Sequence, residues 1–158
     1  MKSLIKPMLA AVGIVVLSAG SATAQQDTER AKISTLLRAY ETALNTADTG
    51  AVIALYTADA VFMPQYSPPQ VGADAVRGAY ERVFAAITLD IAFAIIEIRP
   101  VAPDWAFART TSTGSVTINA SGEKGPEANQ ELFILNKNSD GAWKIARYIF
   151  ATTLPRRR

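Results

Sequence analysis

Between Thr28 and Asn45 the apolar side chains fall at Ile33, Leu37, Tyr40 and Leu44, with Leu36 alongside. Steps of three and four place them on one face, so the spacing predicts a long amphipathic helix. The stretch "NTADTG" (45–50) stops that helix. Asp48 is placed to cap a second, short helix, with Val52, Leu55 and Tyr56 on its buried side. Residues 60–63 read as a short strand, with Asp59 ahead of it at the end of a helix or turn, facing water. Gly72 opens a third helix whose shared face carries Val76, Tyr80, Phe84 and Ile87.

Beyond residue 88 the pattern becomes strand-like. "LDIAFAIIEIR", "WAFARTTSTGSVTI", "NQELFILNKN" and "WKIARYIFATT" are rich in β-branched and aromatic residues. Turns are predicted at 100–104, 119–125 and 138–141, the last because Asp140-Gly141 suits a backbone with positive φ. "SGEKGPE" (121–127) reads as a polar hairpin. The order is helix, helix, strand, helix, then four strands in hairpin succession. It predicts an α+β fold, with three N-terminal helices on one side of a curved, mostly antiparallel sheet. No repeat or linker interrupts it, and the length suits one domain with its own core.

The later strands are apolar on both parities. Trp105 and Phe107 alternate with Ala106 and Ala108, and Leu132 and Ile134 with Phe133 and Leu135. Trp143, Ile145 and Ile149 oppose Tyr148 and Phe150. A sheet with one wet face alternates apolar with polar residues, so the outer face is expected to be covered.

The N-terminus and the charge change the picture. Lys2 and Lys6 precede the apolar run Met8–Leu17, and Ala22-Thr23-Ala24 fits a small-residue cleavage site. Residues 1–24 are therefore expected to be a signal peptide. The mature domain spans 25–154, a basic tail 155–158, and the location is periplasmic or secreted with no stable membrane anchor after cleavage. Without the two leader lysines the 16 basic residues fall to parity with the 14 acidic ones, and three of those left are Arg156, Arg157 and Arg158. Nucleic-acid binding is not expected from such a balance. The chain has no His and no Cys. That removes the Ser-His-Asp and Cys-His nucleophile systems and the usual metal ligands, so neither a metal nor another cofactor is expected.

Two segments, "AYETALNTADTGAVIALYTADAVFMP" (39–64) and "DGAWKIARYIF" (140–150), with "VGADAVRGAYERVF" between them, resemble the nuclear transport factor 2-like superfamily. Its members include ketosteroid isomerase, the SnoaL-like polyketide cyclases and the association domain of calmodulin-dependent kinase. The resemblance spans essentially the whole mature chain and is greatest to small bacterial SnoaL-like proteins. It implies a cone-shaped α+β barrel with an apolar cavity at the open end, and a homodimer through the sheet face with Trp105, Phe107 or Tyr148 near the interface. Candidate wall residues are Tyr56, Phe62, Met63, Tyr66, Tyr80, Phe84, Phe93, Trp143 and Arg147, together with Tyr40. By the same resemblance Tyr40 matches the isomerase's oxyanion tyrosine, and Glu131 its protonated oxyanion-hole acid. The isomerase's catalytic aspartate falls at Met63 or Pro64, neither of which accepts a proton. "VFMPQYSPP" then reads as an apolar wall and a proline-stiffened rim over which Tyr66 can close.

From the residues themselves, an inward Glu131 would have its pKa raised by burial and could carry a proton. Arg147 shares parity with Trp143 and Ile145, which puts it on their face, where it could hold an anion. Three functions follow. The first is a binder of a small apolar or aromatic molecule. The second is a weak acid/base enzyme of isomerase or cyclase type using Tyr40, Glu131 and Arg147. The third is a dimeric assembly module.

Overall fold

A computed structural model describes residues 19–155. The expected signal peptide up to Ser18 and the arginines of the tail lie outside the described residues. Helix α1 (Ala19–Asn45) is followed by α2 (Thr49–Ala54), β1 (Tyr56–Met63), β2 (Gln70–Val71) and α3 (Ala73–Ala86). Four strands complete the chain: β3 (Ile87–Pro100), β4 (Trp105–Ile118), β5 (Lys124–Lys137) and β6 (Trp143–Thr152). They form one six-stranded sheet in the order β2-β1-β6-β5-β4-β3, antiparallel except where β1 lies parallel to β6. The sheet curves around the helices without closing.

The helical stripe packs as its spacing predicts. Ile33, Leu37, Tyr40 and Leu44 are all buried against the sheet. Asp48 caps α2, its side chain accepting from the Ala51 N–H at 2.9 Å. The helix ends sooner than the sequence suggests: Leu55 is its C-cap and Tyr56 opens β1. Asp59 accordingly sits within that strand, although exposed. Ile87 caps α3 in extended geometry and starts β3 directly, so helix and strand join without a loop. Lys124 to Glu127, read as hairpin, belong to β5. Gly141 has φ 84°, the positive value its Asp-Gly turn requires.

β3 is a long edge strand, and α1 covers part of its open side. Asn45 accepts from the Ile91 N–H (2.9 Å) and donates to the Ile91 carbonyl (2.8 Å). Glu41 accepts from the Phe93 N–H, while Arg38 donates to the Phe93 carbonyl. These side chains occupy ladder positions that another strand could otherwise pair with.

Two β-irregularities decide which side chains face the core. In β6, Ile145 pairs with Leu135 but Arg147 pairs with Ile134, leaving Ala146 as an inserted residue. Parity reverses there. Trp143 and Ile145 point inward before it, and Tyr148 points inward after it. Arg147 is thereby turned to the outer face, where it pairs with Asp59. The expectation that Arg147 shares the face of Trp143, and that Tyr148 lies on the opposite one, is corrected by this bulge. A similar shift in β3 leaves Ile96 outside the ladder.

Candidate functional site

The inward face of β4 is made of small residues, Ala106, Ala108, Thr110 and Ser112, all buried. Their bulky neighbours Trp105, Phe107 and Arg109 point the other way. Small side chains opposite α1 leave room inside the cone. The space is filled at its deep end by an aromatic cluster and is open beyond it.

Tyr40 is the centre of that cluster. Its ring meets Phe133 at 5.6 Å and Tyr148 at 5.5 Å, both edge to face. Phe133 stacks on Tyr148 at 4.4 Å, and Phe62 stacks on Tyr80 at 4.9 Å. The Tyr40 and Tyr80 hydroxyls share a short hydrogen bond, and Tyr80 shares another with Tyr56 at 2.8 Å. Burial, reinforced by the neighbouring hydroxyls, raises the pKa of Tyr40 and Tyr56 well above the usual tyrosine value. All are therefore neutral at physiological pH. A chain of three hydroxyls has three hydrogens and two internal bonds, so one hydrogen is left over; it sits on Tyr40 when Tyr56 donates to Tyr80 and Tyr80 to Tyr40.

A cavity of about 150 Å³ opens next to the cluster. Tyr40, Tyr80, Tyr148, Phe62 and Phe93 form its aromatic wall, with Leu89 and Ile91 beside Phe93 on β3. Glu131 lines it from β5, only 5 % exposed. Burial pushes the Glu131 carboxyl up, against donors from Ser112 and Thr110 that pull it down; the Glu127 charge adds to the rise. The Thr110 hydroxyl donates to Glu131 through a short hydrogen bond. Tyr40 and Glu131, which the resemblance assigns to one oxyanion hole, both line this cavity.

Other predicted residues are elsewhere. Tyr56 lies behind Tyr80 in the hydroxyl chain and does not line the cavity. Phe84 packs on the Tyr80 ring at 5.7 Å, outside the lining. Met63 pairs with the outward Ile149, so the positions that reach the cavity from this stretch are Phe62 and Pro64. Tyr66, with φ 60°, is 80 % exposed on the rim loop. Trp143 lines a separate groove of about 430 Å³ with Glu29 and Lys137. The Glu29 carboxylate there already accepts from Gln25, Lys32, Lys137 and Trp143 Nε1, leaving no acceptor spare for a ligand.

Sequence reading missed Ser112, Glu127, Asn129, Tyr148 and Phe150 as cavity residues. The signal for two of them was present. Glu127 and Asn129 share the parity of Glu131 and Phe133, so an inward Glu131 brings both with it. Tyr148 and Phe150 were hidden by the bulge.

Residues 37–146 match the family model of the SnoaL-like domain. No curated protein matches the chain. Among solved structures, a ketosteroid isomerase-like protein from Erwinia carotovora atroseptica SCRI1043 is 42 % identical, with TM-score 0.77, over 79 % of this chain and 96 % of that one. A scytalone dehydratase-like protein from Novosphingobium aromaticivorans DSM 12444 is 19 % identical, with TM-score 0.74, over 84 % of this chain and 89 % of that one. A domain from Nostoc punctiforme PCC 73102 described as having a cystatin-like fold is 15 % identical, with TM-score 0.66, over 81 % of this chain and 79 % of that one. The last two likenesses are of fold.

Proposed function

This chain belongs to the SnoaL-like domain family of the NTF2-like superfamily, and we propose that it binds a small, single-ring aromatic molecule in its conical cavity. The observation that carries the reading is the size and chemistry of that cavity. About 150 Å³ is the space that holds one benzene-sized ring. Stacked aromatic walls suit a flat ligand, and the tyrosine chain can direct its spare hydrogen from Tyr40 toward a phenol or carbonyl oxygen. A fused four-ring steroid would protrude from such a space. The fold is related to isomerases and dehydratases, but no carboxylate stands at Met63 or Pro64, where an isomerase-like base would be.

Titration of the purified protein with 4-ethylphenol, followed by calorimetry or ligand-observed NMR, tests this. Saturable binding is expected, and Tyr40→Phe should weaken it by about 0.5–1.5 kcal/mol, the net worth of a neutral hydrogen bond. Absence of saturable binding up to the ligand's solubility would reject the reading.

A second reading rests on Glu131, a buried acid with a raised pKa in the same cavity as Tyr40. Such a pair could polarise a ketone oxygen and move an α-proton. Wild-type protein would then speed deuterium exchange at the α-carbons of cyclohexanone, and Glu131→Gln would not; equal rates for the two proteins exclude it.

Export and dimerisation complete the proposal. The leader pattern of residues 1–24 supports export, and an intact mass starting at Met1 in the exported protein counts against cleavage. The outer sheet face presents Ile96, Trp105, Leu132 and Ile149 to solvent, and we propose that a second copy covers it.

A further inference from the structure

We infer that the mouth of the cavity selects ligands carrying an O–H or N–H donor para to the oxygen held at Tyr40, and that Asn129 Oδ1 reads it. The inference rests on the binding reading above and names its ligand class. Asn129 lines the cavity and is 7 % exposed. Its Nδ2 donates to Glu127 Oε1 at 2.7 Å and to Ser112 Oγ at 3.4 Å, which uses both amide hydrogens. Its Oδ1 is buried and has no hydrogen-bond partner among the described residues. Flipping the amide does not relieve this, because it would set Oδ1 against the Glu127 carboxylate. Buried acceptors are nearly always paired in folded proteins. A donor supplied by a ligand would complete this one.

Asn129 gives the same cavity a second polar position, apart from the tyrosine hydroxyls. Glu127, Asn129 and Glu131 follow one another on the inward face of β5. Successive members are about 7 Å apart, two residues at about 3.4 Å each. Tyr40 packs against Phe133, the next inward residue beyond Glu131, so Asn129 lies further from Tyr40 along β5. The deep pole offers tyrosine hydroxyls and the outer pole offers acceptors. Among the described residues no Lys or Arg lines the cavity, so an anionic substituent at the outer pole would meet Glu127, Glu131 and the amide oxygen with no cation to balance it.

Three phenols of similar size separate the possibilities in one calorimetric series: 4-(hydroxymethyl)phenol, 4-ethylphenol and 4-hydroxybenzoate. Wild-type protein should bind the hydroxymethyl compound about tenfold tighter than 4-ethylphenol, the upper end for one hydrogen bond that also satisfies a buried acceptor. The carboxylate should bind weakest. In Asn129→Leu the ratio of the first two affinities should fall toward one. Equal wild-type affinities for the hydroxymethyl and ethyl compounds would overturn the inference while leaving the binding reading intact. Tightest binding of 4-hydroxybenzoate would overturn it too, as would a preference unchanged in Asn129→Leu. If none of the phenols binds, both readings fall. Should Asn129→Leu not fold, the three wild-type affinities decide alone.

Discussion

Replacing Glu29 by glutamine should loosen the helix that carries Tyr40. Glu29 begins the buried stripe of α1, about 16 Å from Tyr40 at about 1.5 Å per residue. Its carboxylate ties α1 to two distant strands, accepting from Lys137 Nζ on β5 at 2.7 Å and Trp143 Nε1 on β6 at 2.7 Å. Lys137 also lies over the Trp143 ring, 4.9 Å from its centre. Hydrogen bonding by Lys137, with help from Trp143 and Lys32 and against desolvation, holds the Glu29 pKa down at about 2 instead of 4.5. That depression is worth at most about 3 kcal/mol in the ionised state. Half-exposed Lys32 is screened by water and contributes little, so about 2 kcal/mol is a working figure. At this chain length that is about 4–8 °C of melting temperature. The sign of the pH dependence follows from a depressed folded pKa. The advantage of the wild type over Glu29→Gln is complete above about pH 4.5 and disappears as the pH falls toward about 2. Thermal unfolding of both proteins across that interval, with tryptophan fluorescence as the probe, measures it. A difference in melting temperature that is the same at about pH 3 and about pH 7, or one below about 1 °C throughout, would refute the reasoning.

Glu131 should show the opposite pH behaviour. Its folded pKa is raised above 4.5 by burial, so its contribution favours the folded state at low pH and is lost as the pH rises through the folded value. Glu131→Gln should therefore gain stability on the wild type from about pH 4.5 toward neutrality, and parallel melting-temperature profiles would contradict this. The outer sheet face should hold the protein as a dimer at micromolar concentration by light scattering. Trp105→Lys on that face should shift it toward monomer without lowering the affinity for 4-ethylphenol; a monomeric wild type excludes the interface.

The stripe Ile33, Leu37, Tyr40 and Leu44 was legible because a helix buries whatever recurs at steps of three and four, and nothing distant changes that periodicity. The Asp48 cap and the Asp-Gly turn are equally local, each depending on a few residues of backbone. The four long strands and their hairpin order followed from β-branched and aromatic runs broken by turn residues. Facing directions along those strands were legible only as far as the alternation ran unbroken. One inserted residue, Ala146, reverses it, and so moves Arg147 out of the cone and Tyr148 into it. A bulge is fixed by how β6 must bend between β5 and the parallel β1, which involves strands far apart in the chain. The same holds for Glu29 and Trp143, 114 residues apart, and for the Tyr40–Tyr80–Tyr56 hydroxyl chain. The sequence determined the three helices, the long strands and which helical face is buried, because those depend on near neighbours; the short β2 (Gln70–Val71), made by pairing with β1, was not legible. The cavity, its volume and its two polar ends were decided by tertiary structure, because an empty space exists only where several elements fail to meet.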